Sequence, residues 1–213
     1  MYQPGHGRFI DPAPAVSLGE LAAAVPATLV TLSGGRLVAT ILPMLYDASD
    51  GPLGTLRGHL ARANRQWRDV SAGIEALAIF DGPDAYVSPR LYAATRRSER
   101  HVPTWNYTTV HASGALVVRD DPAWLGEIVR RLTDRHEAGR PDGWSVDDAP
   151  RDYIESELRA IVGIELRISR LEGKRKLSQN RAPADVDGVI GGLAAGAPRE
   201  QAVAGEMRRA PRR

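Results

Sequence analysis

The 213-residue chain has no cysteine. That excludes disulfides, thiolate ligands to a metal and a cysteine nucleophile. No apolar run reaches the length of a membrane-crossing helix, and the opening residues MYQPGHGRF lack the apolar core of a secretory leader. A soluble chain in the cytoplasm with no membrane partner is the expectation. Aromatic residues are few, at 6%, but 43% apolar content is enough for one sizeable core or two small ones. An excess of charge of one sign is lacking as well, with a formal net of +2. Five arginines between Arg199 and Arg213 outweigh Glu200 and Glu206, so the rest of the chain is close to neutral. A basic tail of this kind does not by itself make a nucleic-acid-binding domain.

What is present is mostly strand-like. TLVTL at 28–32 and RLVATIL at 36–42 flank the turn SGG, and a hairpin is expected there because glycine reaches the positive φ of a tight reversal. A short strand is expected over 55–58, with HLARAN at 59–64 leading into a helical turn at Trp67. The turn string DGPD predicts a strand pair from 75–80 and 85–88. Residues 90–101 read as a mobile charged loop, and 102–118 as a strand with a bulge or turn at Gly114. Helices are expected over 18–24 with Ser17 as cap, from Pro122 with Asp121 as cap, over 152–161, and over 185–193. No glycine-rich crossover of the parallel kind occurs, so a β-rich α+β fold with an antiparallel barrel, closed or nearly so, and peripheral helices is predicted. Residues 194–213, rich in Ala, Gly, Pro and Arg, read as a disordered tail.

The stretch 163–180, GIELRISRLEGKRKLSQN, alternates apolar and charged residues in its first half, as a strand wet on one side does. Its second half supplies Lys174, Arg175, Lys176, Ser178, Gln179 and Asn180. Point charges, guanidinium donors and short hydroxyl or amide donors suit a phosphate, and they equally suit a solvated strand end. Trp105 and Tyr107 lie two residues apart and so face one side of a strand, for core packing or for stacking on a planar ligand. No HExxH-like spacing occurs, His136 and Glu137 are adjacent and point apart on a helix, and no metal is expected. No Ser, His and Asp arrangement is identifiable by spacing, so no catalytic residue is assigned.

Taken together, MYQPGHGRFID, GHLARAN, FDGPDAYVSP, VPTWNYTTVHASG, LTDRHE, IVGIEL and GKRKLSQN resemble, in order, the PaiB-like family of FMN-binding negative transcriptional regulators. The resemblance covers residues 1–193 and implies a flavin-reductase-like or pyridoxamine-phosphate-oxidase-like split barrel that binds FMN as a homodimer. It implies Lys174, Lys176, Arg62 and Thr40 or Ser178 around the phosphate, where a dianion takes several charge-assisted bonds. Asn64, Gln179 and Asn180 are then expected at the ribityl chain or the polar ring edge, Trp105, Asn106 and Tyr107 beside the ring, and His59 and His111 as donors to either part.

Four positions depart from the family's strings. Ile41 stands where a histidine is usual, Asp84 replaces another histidine, and Arg90-Leu91 replaces a serine and a large aromatic residue. Three functions follow as expectations. One is an FMN-binding repressor, with DNA as a partner through the basic tail. Another is an oxidoreductase using flavin on a small molecule, or a flavin-free enzyme in a biosynthetic pathway with Asp84, His59, His111 and Tyr107 as acid-base groups. The third is a flavin-storage dimer.

Overall fold

A computed structural model describes residues 1–5, 7–68, 75–94 and 101–210. The elements are α1 (Pro14–Ala24), β1 (Ala27–Ser33), β2 (Arg36–Leu42), β3 (Leu45–Asp47), β4 (Thr55–Ala61), β5 (Glu75–Val87), β6 (Thr104–Arg119), α2 (Pro122–Glu137), α3 (Arg151–Arg159), β7 (Ile161–Lys176), α4 (Pro183–Ala194) and α5 (Pro198–Arg209). The seven strands form one antiparallel sheet in the order β2-β1-β5-β6-β7-β4-β3, open at β2 and β3. This is a β-rich α+β fold, an antiparallel split β-barrel with peripheral helices. Among the described residues no helix is long and apolar enough to cross a membrane.

The chain divides into two compact units: Met1–Pro14, Asp81–Val110 and Glu172–Arg213 make the first, and Ala15–Phe80 and His111–Leu171 the second. In the first unit the irregular lead runs along the end of β7. Asp11 N–H donates to the Gly173 carbonyl and Arg175 N–H to the Phe9 carbonyl. The core here joins Val87, Tyr92 and Leu177 to Val189, Ile190 and Leu193 of α4 and to Val203, Ala204 and Met207 of α5. The expectation of a disordered tail is therefore corrected. Residues 198–209 are helical, because small and medium side chains at 203, 204 and 207 fall on one face and find an apolar partner in α4. Charge pairs clasp the same helix, Arg175 to Glu206 at 2.5 Å and Arg199 to Asp84. Met207→Ala is expected to lower unfolding free energy by about 2–5 kcal/mol, measured by urea denaturation. A stability change within about 0.5 kcal/mol would show that α5 is not part of the core.

In the second unit the β1–β2 hairpin pairs Ala27 with Leu42 through to Ser33 with Arg36. Gly34 and Gly35 make its turn at φ of 54° and 76°, as the SGG string predicts. Asp121 caps α2 by accepting from Trp124 N–H at 2.7 Å, and Pro122 sits in the first turn. Ile128 and Leu132 of α2 pack on Leu45, with Trp124 beside them.

Several local expectations are corrected. Helix α1 starts at Pro14, not after Ser17, which is buried inside it. Proline at a first helical turn forfeits no bond, and Asp11 Oδ1 accepts from Ala13 N–H just ahead of it. The DGPD string does not turn. Strand β5 runs through it, and Pro83 falls beyond the start of β1 in the register, where its missing N–H breaks no β1 ladder bond. Strand β6 is likewise continuous through Gly114, where a Cβ would lie 1.9 Å from the Arg167 carbonyl oxygen, so the glycine marks a close backbone approach and not a bend. The charged loop expected over 90–101 lies partly outside the described residues; at its start Pro89–Leu91 is a 3-10 turn capped by Ser88.

Candidate functional site

Lys174 and Lys176 lie within β7, not after it, so strand alternation places both on one face and Arg175 on the other. Arg175 is paired with Glu206. The two lysines have no carboxylate partner among the described residues. Lys174 is only 7% exposed, donates to the Tyr2 carbonyl at 3.0 Å, and stands 5.4 and 5.6 Å from the ring centres of Tyr2 and Tyr107. Lys176 donates to Thr104 Oγ1 and, at 2.6 Å, to the Trp105 carbonyl. Burial lowers the pKa of Lys176 below the usual lysine value, and the charges of Lys174 and Arg181 push it the same way. Trp105, 53% exposed, meets Tyr86 edge-on at 6.2 Å, so an aromatic surface adjoins the cations. This first-unit cluster gathers Trp105, Tyr107, Lys174 and Lys176 and is an uncompensated positive seat beside open aromatic rings.

The other first-unit candidates are placed differently. Asn106 and Ser178 are buried and bonded to each other, and Asn106 Nδ2 also reaches Met207 Sδ at 3.3 Å. Ser178 holds a left-handed φ of 65°. Gln179 accepts from Leu177 N–H and donates to the Arg175 carbonyl, so it closes the turn after β7. Asn180 is exposed.

The second unit holds the remaining candidates. Arg62 grips Asp120 with two nitrogens and donates to the carbonyls of Arg159 and Ile161. Thr40, Asn64 and Gln66 form a closed network: Asn64 Nδ2 donates to Thr40 Oγ1, which donates to Gln66 Oε1, and Gln66 Nε2 donates to the Leu29 and Val38 carbonyls. His59 is on β4, opposite Gly163. Its Nδ1 is buried without a partner, and burial lowers its pKa. His111 sits half-buried on β6. A cluster that spacing alone does not reveal centres on Glu165, 3% exposed, which accepts from Arg57, Arg119 and Arg167 at 3.2, 2.9 and 3.0 Å. The alternation in GIELRI, expected to leave one side wet, hides it: Glu165 stands at a charged position of the pattern and is buried together with its apolar neighbours Ile164 and Leu166.

The four departures have structural places. Ile41 is 71% exposed on β2. Asp84 pairs with Arg199 of α5. Arg90 is exposed, while Leu91 packs on the α4 glycine Gly192, where a Cβ would come within 2.3 Å of its side chain.

A split barrel carrying a cationic, aromatic surface describes the class of this protein. Its residues 1–170 match the family model "Putative FMN-binding domain". A Bacillus subtilis relative, protease synthase and sporulation protein PAI 2, is 34% identical over 165 residues, covering 76% of this chain and 75% of its own. An uncharacterized Aspergillus fumigatus protein is 33% identical over 198 residues, with 74% and 76% covered. The chain belongs to this FMN-binding domain family. Among solved structures it is similar in fold to the flavocytochrome Anf3 of Azotobacter vinelandii, at TM-score 0.58 and 15% identity, covering 82% of this chain and 72% of that one. It is similar also to an FAD and heme binding protein of Mycobacterium smegmatis, at TM-score 0.55 and 22% identity, covering 85% and 78%.

Proposed function

We propose that the chain binds FMN on the first-unit face, with Lys174 and Lys176 holding the phosphate and the Trp105 and Tyr107 side of β6 beside the ring system. The observation that carries this is the uncompensated lysine pair. Two cations held close together, one nearly buried and the other made less basic by its surroundings, raise the free energy of the ligand-free protein, and an anion relieves it. A phosphate monoester suits two lysines with neighbouring hydroxyl and carbonyl groups, so the residues present fit the cofactor. The flavin, when bound, supplies the capacity to take up and release electrons. The protein's own part is to hold the phosphate, present an aromatic surface and set the hydrogen bonds around the ligand. Protein purified without added ligand is expected to carry or take up FMN and to release it on denaturation, read by visible absorption. A native, folded preparation that does neither contradicts the proposal.

The flavin-free enzyme reading loses one of its acid-base groups, since Asp84 is tied to Arg199. For the repressor reading, α5 is part of the first-unit core and Arg199 and Arg209 are paired with carboxylates, so a tail deletion would unfold structure as well as remove charge. Arg208, exposed on α5 as Arg199 and Arg209 are, is where a direct DNA contact is best tested: Arg208→Gln is expected to weaken a salt-dependent promoter complex if α5 binds DNA, and an unchanged complex would exclude that route.

We also propose a homodimer, supported by the edge strand β2. Leu37 and Ile41 lie on one face of it, 78% and 71% exposed, with Ala39 between them and Leu32 of β1 opposite Leu37. An open apolar edge favours burial against a second copy. Leu37→Glu is expected to give a monomer by sedimentation while the wild type is a dimer; a monomeric wild type contradicts the proposal.

A further inference from the structure

The chain contains two lysines, and they are Lys174 and Lys176; every other basic side chain among its 28 lysines and arginines is an arginine. Arginine holds a phosphate at least as well, often with two parallel bonds. A guanidinium cannot lose its proton near neutrality, whereas an amine can and then becomes a nucleophile. Lysine at these positions therefore supplies something that arginine elsewhere in the chain does not.

With no anion bound, the surroundings of Lys176 ease the loss of its proton; a phosphate bonded to Lys176 itself holds the proton on. It donates to two acceptors, Thr104 Oγ1 and the Trp105 carbonyl, and a neutral amine has two N–H bonds and one lone pair. With both N–H bonds engaged, the lone pair remains free. Among the described residues no carboxylate pairs with it, and burial and the charges of Lys174 and Arg181 work against its proton. Arg181 has its guanidinium 4.9 Å from the Tyr92 ring centre and is oriented over that ring. An amine beside other cations, partly withdrawn from water, is the setting in which lysine attacks carbonyls.

We propose that Lys176 is a reactive amine that captures a small carbonyl compound bearing an anionic group, with Lys174 and Arg181 attracting the anion. Lys176 Nζ adds to the carbonyl carbon to give a carbinolamine. Loss of water then leaves a carbon–nitrogen double bond, with no change in oxidation state and no co-reactant needed. The Trp105 and Tyr86 rings favour an aromatic aldehyde over an aliphatic one. This goes beyond flavin binding and does not depend on it. The amine is assayed on flavin-free chain, so failure to bind flavin and failure to form the adduct are separate results.

The probe is pyridoxal 5′-phosphate followed by borohydride, with the modified residue found by peptide mass mapping on the wild-type chain. The expected result is a single main adduct on Lys176, in about tenfold excess over Lys174 and the N-terminal amine, because the Met1 amine is engaged by Glu172 at 2.9 Å and Lys174 is buried against the Tyr2 and Tyr107 rings. 5′-Deoxypyridoxal, which lacks the phosphate and cannot close to a hemiacetal, should label Lys176 several-fold more slowly. Lys176→Arg, which keeps the charge, should lose the adduct without a change in melting temperature. Labelling that favours Lys174, that is equal at the two lysines, that is absent, or that persists at the same level in Lys176→Arg overturns the proposal. Equal rates with 5′-deoxypyridoxal and pyridoxal 5′-phosphate overturn the role given to Lys174 and Arg181.

Discussion

Replacing Glu165 by alanine is expected to lower the unfolding free energy of the protein by about 3 kcal/mol, because it removes the carboxylate at the centre of a buried charge cluster. Glu165 is 3% exposed and accepts from three arginines, and Arg57 also reaches Asp47 and Asp50. Without Glu165, Arg57 keeps its two aspartate partners. Arg119 and Arg167, which are more exposed, can turn towards water, which keeps the loss near the lower end of the range for broken buried pairs. Burial alone would raise the Glu165 pKa, but the hydrogen bonds from Arg119, Arg167 and Arg57 outweigh it and hold the carboxyl below its ordinary range. A depressed carboxyl contributes stability that is fully present above its unfolded value, about 4.3, and is lost as pH falls through the folded value. The gap in urea midpoint between wild type and Glu165→Gln should therefore narrow from neutrality to about pH 3. A gap that stays constant across that interval would show that the carboxylate charge is not what holds the cluster.

Changing both Lys174 and Lys176 to glutamine is expected to weaken FMN binding by about a hundredfold or more, from the loss of two charge-assisted contacts worth roughly 1.5–3 kcal/mol each. The folded state should survive, since among the described residues neither lysine has an ionic partner whose charge would be stranded. Calorimetric or fluorescence titration measures the loss, and thermal unfolding of the ligand-free variant controls for structure. Retention of wild-type affinity by the double variant would move the phosphate elsewhere on the protein.

The fold was legible in the sequence wherever a pattern is enforced locally. The SGG hairpin follows from two glycines at positive φ, and α2 follows from Asp121 and Pro122 at its start. The turn at DGPD was misleading because strand continuation depends on which neighbours pair with β5, a long-range matter that Pro83 does not report. Helix α5 was hidden because Val203, Ala204 and Met207 are modest side chains in a string rich in Ala, Gly and Arg, and only the α4 surface makes their burial worthwhile. In the site, GKRKLSQN announced the cations but not their division between faces. That Arg175 is neutralised by Glu206 while the lysines are not is a consequence of strand alternation and of where α5 lands. Polar residues such as Asn106, Ser178 and Gln179 carry the same side chains whether they bind a ligand or each other, so their mutual hydrogen bonds could only be seen in three dimensions.

In the proposed reading the stretch around β7 is an anion seat, its two lysines having no carboxylate partner among the described residues. The measurement that tests this most directly is a side-by-side titration of the wild-type protein with FMN and with riboflavin, which differ only by the phosphate. FMN is expected to bind about a hundredfold or more tightly, with the difference shrinking as salt rises. Equal affinity for the two flavins, or a difference insensitive to salt, would contradict a phosphate held by Lys174 and Lys176.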